Sequence, residues 1–232
     1  PYQAMSAPKR FWLRAVLALF LLLAALGAVG WHQWQRWAPS RAEYPMQGLA
    51  LSATQGEVDW GSLRAAYPDF VYIRAVSSGA RDPAFSRNWA AARSSGLRYG
   101  AEILFDPCSP ASDQATDFMA TVPRDNTALP AAIRIDAASN CAAEPGRDKV
   151  VSELNTLINL VEAHMAKPAL IHVSPETEKL YAISASINRT LWLDRAYFKP
   201  AYAAHDWVMW TANPKRQVKG VGTPVEWIVV AK

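Results

Sequence analysis

Short apolar runs and longer amphipathic stretches alternate along most of the chain. Runs rich in β-branched and aromatic residues predict strands, and apolar positions that recur about every 3.6 residues predict helices. The predicted strands cover residues 48–52, 70–75, 97–105, 131–136, 169–173, 190–193, 207–211 and 225–230. The clearest predicted helix covers residues 150–165, where Val151, Leu154, Ile158, Val161 and Met165 share one face.

Helical stretches separate the earlier strands, whereas little helix separates the last three. Alternation at this spacing indicates parallel βα units joined by right-handed crossovers. About eight strands then predict an α/β fold with a closed or nearly closed TIM-like barrel, preceded by one apolar helix. In such barrels the functional residues lie at the C-terminal ends of the strands.

Capping residues predict where several helices begin and end. Asp59 is a suitable N-cap for a short helix that runs to Ala66. Asp82 and Pro83 predict the N-cap and first turn of the next helix, and Gly96 predicts its end.

The N-terminal segment carries a long apolar run. Basic residues precede the apolar residues 15–29, and tryptophans flank both ends of the run. Crossing a bilayer takes about 20 apolar residues, and indole rings favour the membrane interface. The pattern predicts a cytoplasmic tail over residues 1–10 and a transmembrane signal anchor over residues 11–31. A cleaved signal peptide is the alternative.

The charges around this run predict the orientation of the chain. The basic N-terminal side favours the cytoplasm, although Arg36 and Arg41 on the far side weaken the bias. Residues 32–45 contain prolines and charges and predict a linker, and residues 46–232 predict one folded domain. We therefore expect a single-pass protein of the inner (cytoplasmic) membrane, with its domain facing the periplasm or the cell exterior.

Composition narrows the classes of function. Hydrophobic residues make up 51% of the chain and charged residues 19%, which is enough for a packed core. The net charge of +4 is weak and scattered, so nucleic acid is not an expected partner. His164, His172 and His205 form no pair with metal-ligand spacing, so we expect no metal and no other cofactor.

The chain contains two cysteines, Cys108 and Cys141. An even count in an exported domain favours a disulfide. Cys108 follows the third predicted strand and Cys141 follows the fourth, so both loops should emerge side by side at the same end of the barrel. This placement favours a bridge over the alternative, two buried free thiols.

Several short segments together resemble one known family. They are residues 48–52, 55–60, 70–75, 82–85, 88–89, 96–97, 100–101, 114–115, 129–130, 207–211 and 221–226. In this order and spacing, the chain resembles the family 25 glycoside hydrolases, which are Chalaropsis-type lysozymes or N-acetylmuramidases. The resemblance implies a (βα)5β3 barrel, with five βα units completed by three strands. It also implies peptidoglycan glycan strands as the partner, and hydrolysis of the β-1,4 bond between N-acetylmuramic acid and N-acetylglucosamine as the reaction.

The chain departs from the family's pattern at its acidic positions. Ala50 stands where the family places an Asp in its first strand. In the family's Asp-x-Glu pair, Arg134 replaces the Asp and Asp136 replaces the Glu. Glu102 stands where a Tyr usually follows Gly-Ala, and Glu226 replaces the closing Asp. These changes affect the carboxylates on which the family reaction depends.

Glycoside cleavage needs a carboxylic acid that protonates the leaving oxygen and a second group that stabilises or attacks the sugar. Strand alternation places Arg134 and Asp136 on one face, opposite Ile133 and Ile135, so both should face the barrel mouth. Asp is shorter than Glu by one C–C bond, about 1.5 Å. A nearby guanidinium lowers the pKa of a carboxyl group and opposes its use as a general acid.

Glu102 and Asp136 are the candidate catalytic residues, and each has a second interpretation. Glu102 is either a substitute acid or base, or a member of a structural ion cluster in which it and Asp136 neutralise Arg134. The cluster is favoured, because buried charges need partners. Glu226 either lines the mouth or lies on its rim, with the rim slightly favoured.

The candidate substrate-binding residues are Arg134, Glu226 and three aromatic residues, Tyr72, Trp192 and Trp210. The aromatic side chains either stack on sugar rings or pack in the core, and neither role is favoured.

Three functions remain open. The first is a membrane-anchored, lysozyme-like enzyme whose hydrolysis is reduced or lost. The second is a catalytically inactive relative that serves as a glycan-binding or envelope-interaction module, and Arg134 and Ala50 favour it for mechanism. The third, which is weaker, is a protein-interaction scaffold with no glycan contact.

Overall fold

The computed structural model describes residues 7–136, 141 and 143–232, and the chain divides into two compact units, residues 1–37 and residues 38–232. The first unit contains one helix, α1 (Ala7–Gln35). Its segment Phe11–Gln35 is long and apolar enough to cross a membrane, a property that signal sequences near an N-terminus share. Most of the predicted tail, residues 1–10, lies outside the described residues.

The second unit is built on nine described strands, eight of which form a closed barrel. The strands are β1 (Gln47–Leu51), β2 (Phe70–Ser77), β3 (Ala80–Arg81), β4 (Arg98–Phe105), β5 (Ala132–Ile135), β6 (Leu170–Val173), β7 (Thr190–Asp194), β8 (Trp207–Arg216) and β9 (Val225–Val230). Strand β3 is a short antiparallel addition to β2. Strand β1 pairs in parallel with β2 and antiparallel with β9, which closes the barrel.

Helices follow each of the first five barrel strands. They are a 3-10 helix (Ala53–Gln55), α2 (Trp60–Arg64), α3 (Phe85–Ser95), α4 (Ala111–Thr121), α5 (Arg147–Met165), α6 (Pro175–Tyr181) and α7 (Ile183–Ser186). Within the described residues, β7, β8 and β9 follow one another without an intervening helix. This arrangement confirms the predicted (βα)5β3 barrel with an N-terminal apolar helix.

The predicted caps are correct for two helix ends and wrong for one. Asp59 caps α2 by accepting hydrogen bonds from the backbone N–H groups of Gly61 and Ser62. Gly96 ends α3 in the left-handed conformation, with φ of 76°. Asp82, however, is not the N-cap of α3, which begins only at Phe85. Its carboxylate instead accepts hydrogen bonds from the backbone N–H groups of Ala84 and Ala53, so it ties two loops together.

The segment 38–45, which composition predicts as part of a linker, belongs to the folded unit. Tyr44 is 5% exposed and makes an edge contact with Trp210 at 5.6 Å. The Gln47 side chain donates to the backbone oxygens of Pro39 and Tyr44. The folded unit therefore begins at Ala38 rather than at residue 46, because buried contacts outweigh the polar composition of the segment.

Apolar side chains fill the lower part of the barrel interior. The cluster consists of Phe70, Tyr72, Ala132, Leu170, Trp192, Met209 and Ile228. Gly100 belongs to this packing, because a Cβ atom there would lie 2.6 Å from the Tyr72 ring. The next inward-facing positions along the strands are polar, so the functional site lies on top of an apolar plug.

Candidate active site

A set of charged side chains covers the apolar plug at the barrel end where the parallel strands finish and the antiparallel strand β9 begins, and we call it the charged layer. It consists of Arg74 (β2), Glu102 (β4), Arg134 and Asp136 (on and just after β5), His172 (β6), Asp194 (β7) and Glu226 (β9). Strand alternation places these residues inside the barrel while Ile133 and Ile135 are fully buried on the outer face of β5. Arg134 therefore points into the mouth, as its spacing predicts.

Arg134 is the central cation of the charged layer. Its Nη1 donates to both carboxylate oxygens of Glu226, at 2.7 and 2.9 Å. Its Nε lies 3.2 and 3.3 Å from the Asp136 carboxylate oxygens, and its Nη2 lies 3.7 Å from Asp194 Oδ2. Burial disfavours the charged guanidinium and by itself would lower the pKa of Arg134. The nearby carboxylates outweigh burial and raise this pKa above its ordinary value, and the largest contribution comes from Glu226, followed by Glu102, Asp194 and Asp136. The guanidinium is therefore a permanent positive charge in the mouth.

Glu102 is almost fully buried and binds two cations. Its carboxylate lies 2.7 Å from Arg74 Nε and 3.0 Å from His172 Nδ1. Burial raises the pKa of Glu102, but Arg74 and then His172 outweigh burial and hold the pKa below its ordinary value. Glu102 thus stays ionised near neutral pH. It is an ion-cluster residue, although its direct partners are Arg74 and His172 and not Arg134, the partner that the sequence suggested.

His172 and Asp194 complete the charged layer, and sequence reasoning did not select either of them as a site residue. His172 Nε2 lies 2.8 Å from Asp194 Oδ1, and its ring stacks on Trp192 with centroids 3.9 Å apart. Burial lowers the pKa of His172, but Asp194 outweighs burial and raises the pKa to about 9. His172 is therefore a cation that bridges Glu102 and Asp194. Their positions in the sequence could have identified both residues, because each lies at or next to the end of a predicted strand, where the functional residues of such barrels are found.

Two adjoining cavities that share four lining residues open above the charged layer, and we call them the larger and the smaller lobe. The larger lobe, about 680 Å³, is lined by Arg134, Asp136, Ser174, Pro175, Glu176, Asp194, Arg195, Ala196, Thr211, Pro214 and Glu226. The smaller lobe, about 320 Å³, is lined by Ala50, Leu51, Ser52, Thr54, Gln55, Arg74, Glu102, Pro224 and the shared residues Arg134, Asp136, Pro214 and Glu226. Glu226 lines both lobes and so lies in the mouth rather than on its rim. Ala50 leaves the smaller lobe without a carboxylate from β1.

The three aromatic candidates for sugar stacking are in the core. Tyr72, Trp192 and Trp210 are at most 3% exposed. The Tyr72 hydroxyl donates to the Pro130 carbonyl, and Trp192 Nε1 donates to Thr211 Oγ1. The three rings are therefore not accessible to a sugar in this structure. Of the two roles considered for them, they have the second, which is packing in the core.

Cys108 and Cys141 form the predicted disulfide, with Cα atoms 5.5 Å apart. The bridge joins the segments that follow β4 and β5, as their placement in the sequence suggested. The Asp106 carboxylate accepts a hydrogen bond from the Cys108 N–H group and lies close to both sulfur atoms. Because both sulfur atoms are covalently bonded to each other, neither is a thiolate ligand for a metal in this state.

The eight-stranded (βα)5β3 barrel and the acidic side chains at one of its ends define the class of domain, a TIM-like barrel with a charged mouth. The family model of the glycosyl hydrolases family 25 matches residues 50–221. A family 25 glycosyl hydrolase from Bacillus anthracis superposes with a TM-score of 0.76 and 25% identity, covering 84% of this chain and 92% of that one. The Streptomyces coelicolor lysozyme shares the fold, with a TM-score of 0.68 and 22% identity over 79% of this chain and 90% of that one.

Two sequence relatives extend the comparison. Escherichia coli K12 YegX is 27% identical over 196 residues, which cover 81% of this chain and 70% of that protein. Lysozyme M1 of Streptomyces globisporus is 30% identical over 96 residues, which cover 39% of this chain and 33% of that protein. This chain belongs to family 25 of the glycosyl hydrolases.

Proposed function

We propose that this protein is a membrane-anchored member of family 25 that binds the glycan strands of peptidoglycan and has lost most or all of the family's hydrolytic activity. Two of its relatives are lysozymes by name, which supports peptidoglycan as the ligand. The observation that carries the loss of activity is the position of Arg134, which reaches three carboxylates at the centre of the mouth.

Hydrolysis requires one carboxyl group that keeps its proton until it reaches the leaving oxygen. Each carboxylate of the charged layer is instead in an ion pair. Asp136 and Glu226 contact Arg134, whereas Glu102 contacts Arg74 and His172. Arg74 and His172 hold the pKa of Glu102 below its ordinary value, and the ionised form is the wrong state for a general acid. Arg134 hydrogen-bonds both carboxylate oxygens of Asp136 and of Glu226, so these oxygens are already engaged within the protein.

The shape and lining of the two lobes support glycan binding even though the ion pairs oppose glycan hydrolysis. The two lobes meet at Arg134, Asp136, Pro214 and Glu226 and together form a cleft. Sugar recognition needs hydrogen-bond donors and acceptors that are already in place, and the charged layer supplies both on rigid strands. A polymeric glycan fits such an open cleft better than a small, fully enclosed ligand would.

Residual hydrolysis by Asp136 is the alternative function, and one observation favours it. The Asp136 side chain is 35% exposed, more than any other ion-paired carboxylate of the charged layer, and it lines both lobes. Glu102, the second candidate of the sequence analysis, is 1% exposed and ion-paired, so it is a poor partner for this reaction.

The N-terminal helix supports the anchored state. Phe11–Gln35 is long and apolar enough to cross a membrane, and the side chains of its large hydrophobic residues are exposed. The preceding basic residues favour a cytoplasmic N-terminus. In this orientation the barrel lies outside the cytoplasmic membrane, in the periplasm or at the cell exterior, where peptidoglycan is found.

The proposal is tested with the full-length protein in detergent micelles and insoluble purified peptidoglycan. Co-sedimentation measures binding, and the release of reducing ends measures hydrolysis. We expect saturable co-sedimentation without release of reducing ends above the level of a sample without protein. Absence of co-sedimentation would refute the binding function.

Asp136→Asn and the surface variant Asp113→Asn provide a matched pair of controls. Both remove one carboxylate, but Asp113 lies on the exposed side of α4. Release of reducing ends by the wild type and by Asp113→Asn, but not by Asp136→Asn, would establish residual hydrolysis in place of the inactive state.

A further inference from the structure

The larger lobe contains a carboxylate, Asp194, that is held in place through one oxygen by a buried histidine. Asp194 is the last residue of β7, and its Oδ1 lies 2.8 Å from His172 Nε2. Its Oδ2 lies 3.7 Å from Arg134 Nη2, which is beyond hydrogen-bond distance. The side chain is 20% exposed and lines the larger lobe. This carboxylate therefore combines a fixed position with access to a ligand.

The backbone of Asp194 is fixed independently of its side chain. Its N–H group donates to Tyr202 Oη at 2.9 Å. The Tyr202 hydroxyl in turn lies 2.7 Å from the Val173 carbonyl oxygen and 3.1 Å from the Asp194 carbonyl oxygen. Tyr202 thus joins the ends of β6 and β7 and sets the direction in which the Asp194 side chain leaves the strand.

His172 is fixed in turn by residues below and beside it. Its ring lies flat on Trp192, with an interplanar angle of 5°. Its Nδ1 lies 3.0 Å from Glu102 Oε1, and Glu102 Oε2 accepts a hydrogen bond from Arg74 Nε at 2.7 Å. A buried carboxylate with two cationic partners is costly to displace, so Glu102 is a firm support for the imidazole.

We propose that Asp194 is a glycan-contacting residue of the larger lobe, where its carboxylate accepts hydrogen bonds from sugar hydroxyl or acetamido N–H groups. Glu102 and His172 are positioning residues: Glu102 holds the His172 ring in place, and His172 orients the Asp194 carboxylate. The inference rests on the proposed glycan-binding function and assigns the larger lobe as the part of the cleft that holds a sugar unit. Charge-assisted hydrogen bonds from preorganised carboxylates are among the stronger contacts in polar recognition.

The protonation state of His172 links this contact to pH. Glu102 faces the imidazole from β4, Asp194 from β7 and the Arg134 guanidinium from β5, while Arg74 on β2 reaches it through Glu102. Doubly protonated imidazole donates to both carboxylates, whereas neutral imidazole has a single N–H donor. When the His172 imidazole loses a proton above pH about 9, either Glu102 or Asp194 loses its hydrogen-bond donor. The orientation of the Asp194 carboxylate is then less firmly fixed.

Three variants of the full-length protein in detergent test the inference by co-sedimentation with peptidoglycan at several pH values. Asp194→Asn should weaken binding at pH 7 by about tenfold or more, the effect of losing a hydrogen bond to a charged group. His172→Gln should weaken it in the same direction. The wild type and the surface control Asp113→Asn should lose affinity between pH 8 and 10, and Asp194→Asn should not show this loss.

The outcomes separate this inference from the proposed function. If the wild type does not bind, the glycan-binding function fails and the assignment of Asp194 fails with it. If the wild type binds and Asp194→Asn binds equally well, the function stands and the assignment of Asp194 is overturned. An unchanged pH profile in Asp194→Asn would overturn the positioning role of His172.

A second measurement uses only the wild type, in case Asp194→Asn does not fold. Carboxyl groups are labelled with a carbodiimide and an amine, with and without soluble glycan fragments released from peptidoglycan, and the labelled sites are quantified by mass spectrometry. Labelling of Asp194 should fall when fragments are present, and labelling of Asp113 should not. Equal labelling of Asp194 in both samples would overturn the inference.

Discussion

Arg134 Nη1 donates to both carboxylate oxygens of Glu226 across the mouth of the barrel. The two residues are 92 positions apart in the chain and lie on β5 and β9, with β6, β7 and β8 between them in the sheet. The pair therefore spans the centre of the cleft. It places a cation where the family resemblance puts an acidic residue, and the proposed loss of hydrolysis rests on this position.

Removal of this cation should destabilise the fold. Arg134→Met leaves Asp136, Asp194 and Glu226 facing one another without their shared partner, so we expect a loss of about 3 kcal/mol or more in the free energy of unfolding at pH 7. Chemical denaturation measures the loss, and Arg64→Met on the exposed surface of α2 is the control. A loss as small as that of Arg64→Met would contradict the central role of Arg134.

Glu102→Gln should lower the free energy of unfolding by about 3 kcal/mol at pH 7, because Arg74 and His172 lose the carboxylate that they share. The pKa of Glu102 is lowered in the folded state, so its stabilisation is complete above the ordinary pKa of about 4.3 and is lost as the pH falls further.

Calorimetric melting between about pH 5 and 2 tests this dependence, with 4.3 as the reference value. The melting temperature of the wild type should fall more steeply on acidification than that of Glu102→Gln. The exposed-site variant Glu57→Gln should follow the wild type. Parallel curves for the wild type and Glu102→Gln would show that Glu102 is not ionised in the folded protein.

His172 should give the opposite pH dependence. Its pKa is raised to about 9, so its stabilisation is fully present below the ordinary value of about 6.5 and is lost as the pH rises through about 9. The wild type should lose on the order of 2–3 kcal/mol over this range relative to His172→Gln. Urea unfolding at pH 6 to 10 measures the difference, with the exposed His205→Gln variant as the control. A wild-type curve that parallels His172→Gln would argue for a neutral imidazole.

The disulfide should stabilise the folded unit. Cys108 and Cys141 close a loop with a sequence separation of 33, for which the chain-entropy relation gives about 3–4 kcal/mol. The double variant Cys108→Ser/Cys141→Ser should therefore unfold at lower denaturant concentration than the oxidised wild type. Reductant should lower the midpoint of the wild type and leave that of the double variant unchanged. An equal effect of reductant on both proteins would speak against the bridge.

The apolar helix should hold the protein in the membrane. Leu19→Arg/Leu22→Arg places two charges near the centre of Phe11–Gln35, each of which costs about 2.5–3.5 kcal/mol at a helix centre. The wild type should stay in the membrane pellet after an alkaline carbonate wash, and the double variant should appear in the supernatant. Leu180→Arg, on the exposed surface of α6, is the control and should stay in the pellet. A wild type found in the supernatant would contradict the anchor.

The sequence predicted the elements that depend on local pattern. The eight barrel strands were found from apolar runs, and the outward direction of Ile133 and Ile135 followed from alternation along one strand. The disulfide followed from the order of strands, because parallel neighbours bring their following loops together. The segment 38–45 was misinterpreted as part of a linker because its composition is polar, and its contacts with Trp210 and Asp69 are long-range.

The amino-acid order by itself determined the apolar helix, the alternation that forms the barrel, and the presence of Arg134 beside Asp136 on an inward face. Only the closed barrel decided that Arg134 meets Glu226, that Glu102 meets Arg74 and His172, and that Asp194 faces the larger lobe. The physical reason is that strand periodicity fixes which side of a strand a residue occupies, whereas ion pairs depend on distances between strands far apart in the chain. Those distances exist only once the sheet has closed on itself.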